Sequence, residues 1–158
     1  MEGKRTVKVT VNSMQSSGDV MPPYETQTMA IGELEQRGTG YILSYEEAIS
    51  DDAMQTEKTR VKLHISEHRV MMMREGIYST MMVFDRRQPY EGMYRTPFGT
   101  MPIHIQTVEV DAVCRPEKGK IRMDYELTLA DTSTSDRVVN IHYFQDEMQE
   151  SLDEELPE

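Results

Sequence analysis

The chain has 158 residues, one cysteine and a formal net charge of −11, which fits a single domain that folds without disulfides. The lone Cys114 excludes an internal disulfide and a zinc site built from several cysteines. The acidic excess leaves no evident basic surface for a phosphate backbone, so the composition argues against a nucleic-acid partner.

The first ten residues alternate charged or polar side chains with valine, unlike the continuous apolar stretch of a signal peptide. No apolar run approaches the roughly 20 residues that a membrane-spanning helix requires. We therefore predict a soluble, cytoplasmic protein without a membrane partner.

In chain order, apolar residues at every second position predict nine β-strands, separated by short polar or glycine-containing turns. The strands cover residues 7–11, 24–37, 41–46, 61–65, 70–74, 77–85, 101–113, 121–129 and 139–143. The longer polar stretches, 15–23, 47–55 and 86–95, are predicted to be loops. Pro97 and Gly99 mark an ordered turn that holds Phe98 between two sets of strands.

The number of strands and the length of the turns define the fold class. Eight or nine strands with short connections favour antiparallel neighbours, and one apolar face per strand favours a sheet with one face on the core. Because closure removes the exposed edges of such a sheet, we predict an all-β, single, antiparallel up-and-down β-barrel over residues 1–145.

The remaining residues, 146–158, contain seven acidic side chains and no Lys or Arg. This composition predicts a solvated, disordered tail. The functional alternative is that the tail docks onto a basic protein partner.

Several short motifs occur together in the second half of the chain. They are Met73-Arg74-Glu75-Gly76, Ser79-Thr80-Met81, Phe84, the run from Tyr94 to Thr107, and Tyr125-Glu126-Leu127. In this combination the chain resembles the YwiB-like family of bacterial proteins of unknown function, from about residue 6 to residue 144. The resemblance implies a calycin-like, lipocalin-type β-barrel and brings no activity.

Methionine is unusually frequent, at 14 residues, and is concentrated in the fifth to eighth predicted strands. Because its side chain is flexible and polarizable, methionine suits an adaptable apolar cavity. The alternative is that these side chains simply fill the core. An eight-stranded barrel lies at the boundary between a filled interior and one small ligand site.

The polar groups of such a cavity are predicted to come from Arg74, Tyr94 and Tyr125, with Phe98 at the rim. Arg74 continues the alternation of its strand and is expected to point inward. An enclosed guanidinium requires a carboxylate, which is either an internal partner or the acid group of a fatty-acid-like ligand.

Two sets of residues suggest a metal site, and each match is weak. His64 and His68 have the i, i+4 spacing of a helical ligand pair but lie at a strand end and a hairpin. Glu33 and Glu35 nearly match the Glu-x-Glu-x-Lys signature of triphosphate tunnel metalloenzymes, a phosphohydrolase alternative. That match has Arg37 in place of lysine, and the expected inward basic residues are missing.

The leading hypothesis is a non-enzymatic protein, without a cofactor or metal, that binds a small apolar molecule inside its barrel, with a fatty-acid-like acid as one form of that ligand. The second hypothesis is an interaction scaffold with a filled barrel, which contacts protein partners through the acidic tail or an exposed apolar edge. The third is the metal-dependent phosphohydrolase.

Overall fold

The computed structural model describes residues 4–16, 24–50, 56–130 and 133–145, which form ten β-strands. The strands are β1 (Lys4–Ser16), β2 (Tyr24–Arg37), β3 (Gly40–Ser50), β4 (Thr56–Ile65), β5 (Arg69–Glu75), β6 (Ser79–Asp85), β7 (Tyr90–Thr96), β8 (Gly99–Cys114), β9 (Lys118–Leu129) and β10 (Ser133–Gln145). No helix capable of crossing a membrane occurs within these ranges.

The ten strands form one closed, antiparallel, up-and-down barrel, as the sequence predicts. Each strand pairs with its neighbours in the chain, and β1 pairs with β10 from Val7↔Gln145 to Ser16↔Asp136 to close the sheet. The hairpins β1–β2, β3–β4, β5–β6, β7–β8 and β9–β10 therefore turn at one end of the barrel, which we call the rim. The opposite end is called the base.

Alternation places one face of each strand in the barrel interior. In β4 and β9 the buried positions are every second residue, as predicted. Large side chains that are fully buried concentrate in the base half, and they include Leu43, Leu63, Phe84, Ile121 and Ile141. This half of the barrel is a filled hydrophobic core.

A β-bulge changes the phase of β8. Ile105 and Thr107 face inward, and the register then shifts between Thr107 and Glu109. After the extra residue Val108, which is exposed, the inward positions become Val110 and the later even-numbered residues. The strand thus remains one element as far as Cys114, and its single cysteine packs against the core.

The structure corrects the strand count from eight or nine to ten, because β7 lies in the stretch predicted to be a loop. Its inward positions, Tyr90, Gly92 and Tyr94, pair with β8. A glycine and two tyrosines do not produce the aliphatic alternation that reveals a strand. The polar stretch after Glu46 also continues β3 as far as Ser50.

Parts of the other predictions fall on residues outside the described ranges. They include the acidic tail at 146–158 and most of the predicted 15–23 and 47–55 loops.

Candidate ligand-binding site

The rim half of the barrel contains a cavity of about 530 Å³. Several of the inward side chains are short there, whereas those of the base are large. Five of the lining positions carry small hydroxyl side chains: Ser13, Thr26, Thr28, Thr59 and Thr80. Because these side chains are too short to meet across the barrel, they leave a space empty, whereas leucine, isoleucine and phenylalanine side chains fill the corresponding space at the base.

Tyr45 lines this cavity and is only 4% exposed. Its hydroxyl oxygen has no hydrogen-bond partner among the described residues. Burial raises the pKa of Tyr45 far above its usual value, so the group stays a neutral hydroxyl. A buried hydroxyl without a partner is costly, so this group lowers the stability of the fold.

Arg74 points into the cavity, as its alternation predicts, and it is paired with Glu47. Its Nη1 donates to Glu47 Oε1 at 2.6 Å. Burial opposes the charge, but the Glu47 carboxylate raises the pKa of Arg74 overall. The pair forms because β3, β4 and β5 are adjacent, which places Glu47 beside Thr59 and Arg74 beside Val61.

A second arginine, Arg137 of β10, also lines the cavity. It lies directly across from Tyr125 of β9 and Gln15 of β1, and its Nε donates to Ser135 Oγ at 3.2 Å. Burial raises the pKa of Tyr125, and the charges of Arg137 and Arg74 oppose that rise. Tyr125 therefore experiences the positive charge of both guanidinium groups.

The aromatic side chains form the wall and floor of the cavity. Tyr125 packs against Phe84, with ring centroids 4.6 Å apart, where the cavity meets the filled core. Tyr94 lines the wall and contacts Tyr78 at 6.1 Å between centroids. Burial raises the pKa of Tyr94, so this hydroxyl also remains neutral near pH 7.

Phe98 does not line the cavity. It lies in the β7–β8 hairpin at the rim and is 94% exposed. Thr96 orders this turn, since its hydroxyl accepts from the Phe98 amide at 3.1 Å and donates to the Gly99 carbonyl at 2.9 Å. Of the four predicted site residues, the structure brings Arg74, Tyr94 and Tyr125 together and leaves Phe98 outside.

The methionines divide among several environments. Met72 and Met82 line the cavity, whereas Met123 is part of the filled core. Met81 and Met29 are exposed on the outer face of the barrel. The residue type alone therefore does not identify the cavity.

Next to the cavity, the barrel wall has a seam between β2 and β3. These strands pair only from Gly32↔Tyr45 to Arg37↔Gly40. Beyond Gly32, residues 24–31 pair with β1 and residues 46–50 pair with β4, without pairing across the seam within the described ranges. Thr26, Thr28 and Glu47 line the cavity along this seam.

Sequence reasoning missed Tyr45, Glu47 and Arg137. Tyr45 lies in the predicted strand 41–46, but its missing partner depends on the packed structure. Glu47 lies in the stretch predicted to be a loop. Arg137 has a usable signal, because it precedes Val139 and Ile141 in the same inward phase.

No group of three His, Cys, Asp or Glu side chains among the described residues could hold a metal ion. Glu33 and Glu35 lie on the outer face of β2, on either side of the buried Leu34. They pair there with Lys4 and Arg37. The phosphohydrolase hypothesis requires these carboxylates inside the barrel, so this geometry gives it no support.

Comparison with known proteins gives two matches. The family model "Domain of unknown function (DUF1934)" matches residues 7–141. Among solved structures, the chain is similar to the ywiB protein from Bacillus subtilis, with a TM-score of 0.76 and 20% identity over 90% of this chain and 92% of that chain. At this identity the likeness shows the fold alone. No curated protein matches the chain.

Proposed function

Because the chain belongs to the DUF1934 family, whose function is unknown, we propose a function from the geometry of the barrel: it binds a small, largely apolar molecule in the rim-half cavity without catalysing a reaction. The YwiB-like membership predicted from the sequence motifs is confirmed. The lipocalin-type comparison, in which a barrel holds one small ligand, remains part of the proposal.

The observation that carries the proposal is the division of one barrel into a filled half and a hollow half. A volume of about 530 Å³ lies within the roughly 300–1,000 Å³ of small-molecule sites. The walls combine aliphatic and aromatic side chains with small hydroxyl groups and three charged side chains. This composition suits a ligand with an apolar body and a polar head.

The volume also limits the size of the ligand. At about 30 Å³ per non-hydrogen atom, the share of a water molecule in the liquid, a cavity of about 530 Å³ holds roughly 18 such atoms. A medium-length fatty acid or a compact ring compound fits this limit.

The absence of tryptophan from the chain allows a test with one introduced fluorophore. Met82 lines the cavity, while its neighbour Met81 is exposed on the opposite face of β6. The neutral apolar dye N-phenyl-1-naphthylamine should bind saturably to the wild-type chain. Met82→Trp should weaken that binding and transfer excitation energy to the dye, whereas Met81→Trp should leave the affinity unchanged.

Native mass spectrometry of the chain purified without detergent complements this test. A discrete extra mass that is lost on denaturation would identify an occupied cavity. If no apolar dye or fatty acid bound saturably and the native mass were that of the chain alone, the proposal would be wrong.

The second candidate function is an interaction scaffold, and the seam favours it. The β2 edge at residues 24–31 is unpaired on the β3 side within the described ranges, and Met29 is 74% exposed there. An unpaired strand edge can accept another extended segment. Met29→Lys and deletion of residues 146–158 should then each reduce co-purification of the partner, while an unchanged set of partners would argue against this candidate.

A further inference from the structure

Among the described residues that line the cavity, three carry a charge: Glu47, Arg74 and Arg137. Glu47 and Arg74 neutralise each other through their 2.6 Å contact. The remaining charge is that of Arg137, so the lining has an excess of one positive charge in a chain whose net charge is −11.

Arg137 is held in place, but no carboxylate of the described residues lies within 4.0 Å of it. Its bond to Ser135 uses one of the five N–H donors of the guanidinium. On either side, the cross-strand neighbours Tyr125 and Gln15 also face the cavity. They supply further hydrogen-bonding groups next to the guanidinium.

A partly buried guanidinium is stabilised by an anion, and its planar fork of donors matches the two oxygens of a carboxylate. The Arg74 fork already has such a partner in Glu47. None of the described residues supplies the equivalent partner of Arg137, and the head group of a molecule in the cavity would supply it. One monovalent head group would balance the single excess charge and leave the apolar body against Met72, Met82 and Leu127.

On the basis of the proposed function, we infer that the ligand is an apolar monocarboxylic acid whose head group binds Arg137 beside Tyr125. Arg74, which the sequence suggested for this role, instead forms the internal pair with Glu47. The inference adds to the proposed function both the chemical class of the ligand and the residue that selects it.

The test compares three ligands with the same chain and different heads: dodecanoate, 1-dodecanol and dodecylammonium. Dodecanoate has roughly 14 non-hydrogen atoms and fits the estimated capacity. Isothermal titration calorimetry on the full chain, below the aggregation limit of each ligand, should show dodecanoate binding about tenfold or more tightly than dodecanol. Dodecylammonium should bind more weakly than either.

Three variants assign the preference to Arg137. Arg137→Gln should weaken the binding of dodecanoate far more than that of dodecanol and so remove the advantage of dodecanoate. Arg137→Lys keeps the charge but loses the fork, and it should retain part of that advantage. Arg122→Gln, on the outer face of neighbouring β9, is the matched control and should behave as the wild type.

The outcomes separate this inference from the proposed function. Equal binding of dodecanoate and dodecanol to the wild type would overturn the inference and leave the proposed function standing. Binding of none of the three, together with no dye binding, would overturn both. If Arg137→Gln did not fold, the ratio of the two affinities in Arg137→Lys would decide, because an unchanged ratio would exclude recognition by the guanidinium fork.

Discussion

The guanidinium of Arg74 and the carboxylate of Glu47 are 2.6 Å apart inside the rim half, with side chains 28% and 15% exposed. Removing either partner leaves the other charge poorly solvated and unpaired. We therefore expect Arg74→Met and Glu47→Gln each to lower the free energy of unfolding by about 1–3 kcal/mol. The double variant Arg74→Met/Glu47→Met should recover most of that loss in urea unfolding.

The pair between Arg37 and Glu35 is a matched control, since its 2.7 Å contact is nearly as short but its arginine is 66% exposed. Its removal by Arg37→Gln should change the free energy of unfolding by less than about 1 kcal/mol. If Arg37→Gln lowered the free energy of unfolding as much as Arg74→Met does, burial would not explain why the internal pair contributes more.

Two tyrosines provide a second prediction because only one of their hydroxyls has a partner. Tyr143 donates to the Arg115 carbonyl at 2.8 Å, whereas the Tyr45 hydroxyl has no partner among the described residues. Tyr143→Phe should cost about 1 kcal/mol of unfolding free energy. Tyr45→Phe should leave the free energy of unfolding unchanged or raise it. If Tyr45→Phe lowered it as much as Tyr143→Phe does, the prediction would be wrong.

The alternation of apolar and polar residues along the strands predicts the barrel well, because it indicates which side of each strand is buried. The pattern of Val61, Leu63 and Ile65 requires an inward face, and the structure places all three inside. The same reasoning correctly orients Arg74. It could not identify Glu47 as the partner, because that contact depends on the register of three adjacent strands.

The hollow interior could not be predicted in the same way. The sequence shows that Thr28, Thr59 and Thr80 have small side chains, but whether they face one another depends on how the barrel closes. Phe98 illustrates the opposite error, since an aromatic side chain beside Pro97 suggested a packed position. As the tip residue of a hairpin it extends into solvent instead.

A third prediction concerns the close approach of Gly119 to Tyr143. A Cβ atom at position 119 would lie 2.4 Å from ring atoms of Tyr143, and that ring is 1% exposed and cannot easily move away. Gly119→Ala should therefore lower the unfolding free energy by about 1–3 kcal/mol.

Two controls separate this steric effect from a general effect of replacing glycine. Gly38 has nothing within 4 Å and a φ of +58°, which asparagine tolerates, so Gly38→Asn should have little effect. In a Tyr143→Ala background, Gly119→Ala should cost much less than in the wild type. Equal costs in both backgrounds would exclude the ring as the cause.

The last prediction concerns acid stability at Asp85, at the base end of β6. Arg87 donates to both carboxylate oxygens and, through its backbone amide, to Oδ1. These bonds, helped by the charge of Arg69, lower the pKa of Asp85 below its usual value. A pKa that is lowered in the folded state stabilises the fold above the unfolded pKa of about 3.9, and this contribution is lost as the pH falls through the folded pKa.

We therefore expect the urea midpoint of the wild type to fall more than that of Asp85→Asn between pH 5 and pH 2.5, roughly the range of carboxyl titration. At neutral pH, Asp85→Asn should be the less stable of the two. Arg87→Gln should show an intermediate acid dependence, because Arg69 still lies 3.7 Å from Asp85. Parallel curves for the wild type and Asp85→Asn would mean that another group controls the loss of stability in acid.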